Sequence, residues 1–228
     1  MRIIETFKGI SGEVCAAGQG SLTYFIRLAG CNLRCRWCDT VWGQNPHQGE
    51  RLSPGQVDIR IAQSKANHVL FTGGEPLLQI EQLVQILEIL SNANRPKPHH
   101  VTIETNGSIP FQKERFLEVI NSHLKLSIVA DYKLPSSGQL FKMVPLDEFR
   151  SLDEQDYVKF VIADHLDLST AISVLRQIPN RKFTPAFSPM IQSKLTEINP
   201  QEIIDRLWAE EVHDALVNVQ IHKFLNVK

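Results

Sequence analysis

The chain has 228 residues, of which 43% are hydrophobic and 21% charged, with 24 Lys and Arg set against 25 Asp and Glu for a formal net charge of -1. That length gives one domain, residues 1–228, with room for a substantial core, and the balanced charge excludes a general attraction to nucleic acid or to a membrane surface. No apolar stretch approaches the length of a membrane span, and the start, Met1-Arg-Ile-Ile-Glu-Thr-Phe-Lys8, lacks the regions of a secretory signal, so the expected location is the cytoplasm.

Residues 1–20 make a Gly-rich opening segment, expected to be too broken by glycine for regular structure. Gly9 and Gly12 in it allow the backbone to come close to a ligand or to take positive φ. The apolar run at 24–28 is the first expected strand, and it leads into Cys31-Asn-Leu-Arg-Cys35-Arg-Trp-Cys38. Three of the four cysteines therefore sit in one loop spaced C-x3-C-x2-C, which in a reducing compartment reads as metal ligation rather than disulfide bonding. Zinc takes four protein ligands and an iron–sulfur cubane usually takes four thiolates. A loop of three either borrows a fourth ligand, with Cys15 and His47 as candidates, or leaves one metal position open to a group that is not protein. Cys15 otherwise reads as an ordinary small buried residue.

Ser53-Pro54 marks a helix start, an N-cap followed by Pro in the first turn, with the helix expected to about residue 65. A strand at 68–71 ends in Thr72-Gly-Gly-Glu-Pro76. Ile80, Leu83, Val84, Leu87 and Leu90 then repeat at helical spacing and predict an amphipathic helix. Further strands are expected at 100–104, ending in Thr105-Asn-Gly107, at 124–130, ending in Asp131-Tyr-Lys133, at 157–163, and at 183–187, ending in Ser188-Pro-Met190. Helices are expected near 111–122 and 167–178 and after Asn199-Pro200, and residues 217–222 read as a strand or an extended tail. Short apolar strands alternating with helices argue for parallel β/α units. Six or seven of them fit an incomplete barrel better than a complete one. In such folds ligands bind at the carboxyl ends of the strands, so the cysteines, Thr-Gly-Gly-Glu-Pro, Glu-Thr-Asn-Gly, Asp-Tyr-Lys and Ser-Pro-Met would gather at one mouth.

The three-cysteine loop after an apolar strand, with Gly73-Gly74-Glu75-Pro76 following the next strand, resembles the radical S-adenosylmethionine (SAM) superfamily. The resemblance implies an incomplete parallel (β/α)6 barrel whose [4Fe-4S] cluster is held by Cys31, Cys35 and Cys38, with the fourth iron chelating SAM. One electron would then cleave SAM to a 5'-deoxyadenosyl radical that abstracts a substrate hydrogen. It also implies that Gly73, Gly74 and Glu75 meet the amino end of SAM, that Trp37, Cys38 and Asp39 lie beside its adenine, and that Glu104, Asn106, Asp131, Tyr132 and Lys133 contact its remaining polar groups. The bland reading of these strand-end charges is a solvated surface, and that of the cysteines is a structural zinc knuckle.

Ile10-Ser-Gly-Glu13, residues 25–40 through Cys38-Asp39-Thr40, Lys133-Leu-Pro-Ser-Ser-Gly138 and Gln220-Ile-His-Lys223 extend the likeness almost end to end, to the 7-carboxy-7-deazaguanine synthase family. That family converts 6-carboxy-5,6,7,8-tetrahydropterin to 7-carboxy-7-deazaguanine with loss of ammonia, on the route to queuosine and other 7-deazapurines. By position the resemblance implies that Arg27 pairs with the substrate carboxylate, that Ile10, Ser11, Gly12 and Thr72 hold the pterin, and that Thr40 ligates Mg2+. It further implies a homodimer and an electron donor such as flavodoxin or ferredoxin, with no direct contact to nucleic acid or membrane. One departure stands out: the family has Gln and then Gly-Glu-Gly where this chain has Ser11-Gly12-Glu13-Val14. Serine offers no amide donor and acceptor to a pterin edge, so either water takes that place or the substrate differs; Gln19 is the nearby amide. Two rival readings are an activase that installs a glycyl radical on a partner enzyme and a metal-stabilised binding module without catalysis.

Overall fold

The computed structural model describes residues 1–94, 98–190 and 198–227. Its strands form a nine-stranded sheet. β1 (Arg2–Ile10) and β3 (Glu50–Arg51) lie at one side, followed by β2 (Leu22–Leu28), β4 (His68–Gly73), β5 (His100–Thr105), β6 (Lys125–Asp131), β7 (Tyr157–Ile162), β8 (Thr184–Pro189) and β9 (Leu216–Val217). From β2 to β9 every pairing is parallel, while β1 runs antiparallel to both β2 and β3. Between the parallel strands lie α1 (Pro54–Ser64), α2 (Ile80–Asn92), α3 (Lys113–Leu117), α4 (Leu146–Arg150), α5 (His165–Arg176) and α6 (Pro200–Ala209). Strands added in sequence order, without reversal, wind one way and put all their carboxyl ends on one rim. The result is an open barrel of six β/α units, as the alternation of elements predicts, with the short β9 at its far edge.

Local chemistry sets the helix starts. Ser53 and Gln56 exchange a full capping box ahead of Pro54, and Asn199 accepts from the Gln201 amide ahead of Pro200. On α2 the residues Leu83, Ile86, Leu87 and Leu90 are fully buried against the sheet, each worth roughly 2–3 kcal/mol of transfer free energy. The strands β4, β6 and β7 carry apolar runs that are buried along most of their length because both of their faces are covered. Among the described residues no helix is long and apolar enough to cross a membrane.

The opening segment departs from expectation. Residues 2–10 form a nine-residue strand, because only Gly9 interrupts a run of β-formers and β2 offers a partner. Phe7 and Phe25 stack across the two strands at 4.7 Å. The chain's end also differs: the expected strand or tail at 217–222 reduces to a two-residue β9 followed by α7 (Ile221–Leu225).

Candidate active site

Along the carboxyl rim the chain leaves a cavity of about 690 Å3, walled by the ends of β1, β2 and β4 to β8, the cysteine loop and the C-terminal segment. Two glycines decide how the cysteine loop sits. A Cβ on Gly73 would lie 2.2 Å from the Leu28 carbonyl oxygen, and one on Gly74 would lie 2.0 Å from that of Gly30. Only glycine lets the end of β4 press against the start of the loop this closely, and Gly73 also takes φ +131°. The gain is a set of backbone bonds: Gly74 N donates to Leu28 O at 3.0 Å, Glu75 N to Gly30 O at 2.7 Å, and Gly30 N to Gly43 O at 2.8 Å.

Cys31, Cys35 and Cys38 line the cavity together with Gly73 and Gly74. Asn106 Nδ2 points at Cys31 Sγ from 3.6 Å, and Thr40 Oγ1 lies 3.8 Å from Cys38 Sγ. Burial pushes the Cys35 thiol up, against the pull of the nearby Lys133 ammonium. Neither candidate for a fourth ligand reaches this wall: Cys15 is buried against Ser11, its Sγ 3.1 Å from the serine Oγ, and His47 lines a separate cleft beside Met1 and Arg2. Among the described residues no three His, Cys, Asp or Glu side chains are placed to share one metal ion. Three soft donors spread along a wall next to open space fit a cluster with a vacant corner better than a tetrahedral zinc.

Beyond Cys15 and His47, the cavity wall lacks only two of the residues singled out in the sequence for SAM, substrate or metal. Glu75 is one exception. Its carboxylate points inward, where Oε1 accepts from Leu77 N at 2.9 Å and Thr105 Oγ1 at 2.8 Å, and Oε2 accepts from Asn106 N at 2.6 Å. Burial pushes it up to about 7, and the three donors oppose that. Instead of facing the cavity, Glu75 staples the end of β4 to the end of β5. Tyr132 is the other, buried with its ring 5.2 Å from Phe149 and 5.8 Å from Phe160.

The far wall is charged. Lys133 Nζ donates to Asp131 Oδ2 at 2.6 Å and sits 5.4 Å from the centre of the Trp37 ring. Burial works to lower Lys133, but the Asp131 carboxylate outweighs it and holds the ammonium above its ordinary value. Lys159 on β7 bonds the Glu13 carboxylate and lies 3.1 Å from Asp131 Oδ1. Burial again opposes the charge, and Asp131, Glu13 and Glu104 together raise Lys159 well above the ordinary lysine value. Glu104 itself is raised, by burial first. Near the mouth, Arg27 Nε donates to Glu5 Oε1 at 2.9 Å, and its guanidinium lies 5.9 Å from the Phe7 ring centre.

Sequence reasoning missed Glu13, Lys159, Gln220 and His222 as wall residues. Lys159 carried a signal: a lone lysine inside the apolar run Tyr157-Val-Lys-Phe-Val-Ile162 must be paired if the strand is buried. The other three come from opposite ends of the chain. The Gln220 amide donates to Glu13, Ile221 N donates to Gly12 O at 3.0 Å, and a Cβ on Gly12 would lie 1.8 Å from His222 Nδ1. Ser11, the departure from the expected glutamine, turns its hydroxyl onto Glu13 O and Cys15 Sγ. Gln19 does not take the glutamine's place at the wall; its amide staples Gly12 O to Val219 O.

The description "Radical SAM superfamily" matches residues 25–128, the part that holds the cysteine loop and the glycine pair. A 7-carboxy-7-deazaguanine synthase of Clostridium acetobutylicum is 33% identical over 225 residues, covering 98% of this chain and 95% of its own length. One from Thermoplasma acidophilum is 35% identical over 225 residues, covering 99% and 97%. The crystal structure of QueE from Escherichia coli superposes with a TM-score of 0.66 at 19% identity, over 96% of this chain and 92% of that one. With identity above 30% along nearly the whole length of two such relatives, the chain belongs to the 7-carboxy-7-deazaguanine synthase family, within the radical SAM superfamily.

Proposed function

We propose that this chain is a radical SAM lyase that converts 6-carboxy-5,6,7,8-tetrahydropterin to 7-carboxy-7-deazaguanine with loss of ammonia. The observation that carries this reading is that the three cysteines, the glycine pair and the Arg27, Thr72 and Gly12 wall share one cavity, whose volume is in the upper part of the roughly 300–1,000 Å3 typical of ligand sites. Cys31, Cys35 and Cys38 would hold the [4Fe-4S] cluster, which together with SAM supplies a hydrogen-abstracting radical. Gly73 and Gly74 leave backbone open to the amino acid end of SAM, while Glu104, Asn106, Asp131 and Lys133 offer acceptors and a cation for its polar groups. Trp37 to Asp39 would flank the adenine.

On the substrate side the Arg27 guanidinium suits a carboxylate, for which its planar fork provides two parallel donors. Ile10, Ser11, Gly12 and Thr72 would seat the pterin, although the Ser11 hydroxyl is turned onto Glu13 O and Cys15 Sγ. Thr40 would give Mg2+ one hydroxyl ligand, leaving the ion's other positions to water and substrate oxygens. An external one-electron donor such as flavodoxin or ferredoxin completes the reaction. Arg34 and Arg36 flank Cys35 and lie exposed, without a carboxylate partner among the described residues, and this favours an acidic donor. We also propose a homodimer, for which exposed Trp208, Phe224 and Leu225 offer apolar surface.

Anaerobic incubation of the iron-reconstituted protein with SAM, reductant, Mg2+ and the carboxytetrahydropterin, followed by mass analysis, tests the reading. The expected product is 7-carboxy-7-deazaguanine, formed with one equivalent of ammonia and in the absence of any partner enzyme. SAM cleavage with the pterin recovered intact would overturn it.

A further inference from the structure

We propose that Lys159 is a positioning residue of this reaction, a buried cation that ties the substrate end of the cavity, through Glu13, to the SAM end, through Asp131. The proposal rests on the preceding reading for which end takes which ligand. Lys159 is 8% exposed, on a strand whose neighbours Val158 and Phe160 are fully buried. A lysine there forfeits its hydration and the freedom of its long side chain, a cost that only well-placed carboxylates offset. Two pair with it directly, from elements far apart in sequence: Glu13, after β1, and Asp131, at the end of β6, with Glu104 adding its charge nearby.

Each carboxylate hands the constraint onward. The second oxygen of Glu13 accepts from the Gln220 amide, so Lys159, Glu13 and Gln220 form a chain that draws the C-terminal segment over Gly12. The second oxygen of Asp131 accepts from Lys133, whose ammonium stands over the Trp37 ring in the cysteine loop. The two ends do not depend on Lys159 equally. Without it Asp131 keeps Lys133 and Glu104 keeps the Thr72 side chain, whereas Glu13 keeps only a neutral amide. A carboxylate left in the wall without a cation protonates or swings to water, and the Gln220 contact goes with it. Loss of Lys159 therefore loosens the substrate end, where Ile221 on Gly12 O and Gln19 on Val219 O still hold the segment, and largely spares the SAM end.

The test uses reconstituted holoenzyme carrying Lys159→Met. KM for the carboxypterin should rise about tenfold or more, the scale of a stranded charged group, while the SAM dissociation constant from equilibrium dialysis stays within about threefold, because Lys133 remains on Asp131. Amide exchange over residues 219–225 should quicken, a readout that needs no turnover. In a Glu13→Gln background Lys159→Met should add nothing further to KM, since the two act as one unit. Equal losses of SAM and pterin affinity, additive effects in the double variant, or unchanged exchange in the C-terminal segment would each overturn the proposal. Should Lys159→Met fail to fold, Glu13→Gln/Lys159→Gln against Glu13→Gln decides it: the same KM supports the role, and a further rise of about tenfold or more sinks it. If the wild type leaves the carboxypterin untouched, the functional reading fails, and the exchange contrast alone decides the role of Lys159.

Discussion

The two halves of the rim are built from different materials. Around the cysteine loop the contacts are backbone to backbone: Gly74 to Leu28, Glu75 to Gly30, Gly30 to Gly43, and Arg36 N to Ser137 O at 3.1 Å, with the buried Glu75 carboxylate behind them. Around the substrate end the contacts run through side chains, Glu13 with Lys159 and Gln220, and through a C-terminal segment laid on Gly12. Backbone bonds in a crowded corner hold a fixed geometry, which a cofactor with metal–ligand distances requires. A wall of side-chain contacts among Glu13, Lys159 and Gln220 has more freedom to be retuned by substitution. Specificity differences within the family are then expected at the second half, where this chain carries Ser11 in place of a glutamine.

Paired glycine substitutions put that contrast to its hardest test. In Gly74→Ala the added methyl meets two carbonyl oxygens, of Gly30 at 2.0 Å and of Gly43 at 2.7 Å, and neither can move without unseating the loop. The expected result is about 1–3 kcal/mol of lost stability from overpacking and a loss of SAM cleavage of about a hundredfold from the misplaced centre. In Gly12→Ala the methyl meets the His222 side chain at 1.8 Å, which can rotate away with its segment. There the melting temperature and SAM cleavage should hold, while KM for the pterin rises about tenfold. Calorimetry and deoxyadenosine counting on both variants check this, and equal loss of SAM cleavage in the two would erase the distinction between the halves.

Thr40 lies where the halves meet. Its hydroxyl touches nothing closer than the Cys38 sulfur at 3.8 Å among the hydrogen-bonded contacts, and it is partly exposed. Thr40→Ala should fold and bind iron normally, need more added Mg2+ to reach a given rate, and slow by about tenfold or less, since water can fill the vacated position on the ion. Titration of Mg2+ against rate would show it; an unaltered metal response removes Thr40 from the metal site.

The same contrast explains what could be read from the sequence. The cysteine loop and the glycine pair are contiguous motifs, and the caps at Ser53 and Asn199 are local, so spacing alone placed them. Strand β1 escaped because the glycines at 12, 18 and 20 colour the whole opening, although the residues before Gly9 are good β-formers and need only the β2 partner that tertiary structure brings. Glu75 read as a ligand-facing carboxylate because a motif shows which residues are near the site and not which way each side chain turns. Lys159, Gln220 and His222 meet Glu13 and Gly12 only once the barrel has wound through six units, and no local pattern announces that.

A last comparison lies across the barrel, between charges held by partners at the rim and a charge suppressed by burial at the opposite end of the sheet. His68 begins β4 and is buried between Thr23 Oγ1, 2.8 Å from Nδ1, and Thr102 Oγ1, 2.9 Å from Nε2. The Thr23 hydroxyl already donates to Ser21 O, so it accepts from Nδ1–H, which leaves Nε2 as the acceptor in a neutral ring. Burial, helped by the charge of His100, lowers His68 to about 4. The unfolded chain binds that proton near 6.5, so between pH 6.5 and 4 it holds more protons than the folded one, and stability falls on acidification. The deficit is about 2 kcal/mol at pH 5. Glu75 acts in the opposite sense, because its raised value makes the folded state the better proton binder below about pH 7. Wild-type melting alone therefore mixes the two, and the informative quantity is the difference from His68→Gln. That variant should be less stable than wild type at pH 7, by the cost of a poorer fit to the two threonines, and the gap should narrow by about 2 kcal/mol by pH 5 as the wild type loses what the variant never had. A gap that stays constant between the two pH values would mean that His68 takes up its proton in the fold as readily as in the unfolded chain, and that burial at this end of the barrel does not suppress its charge.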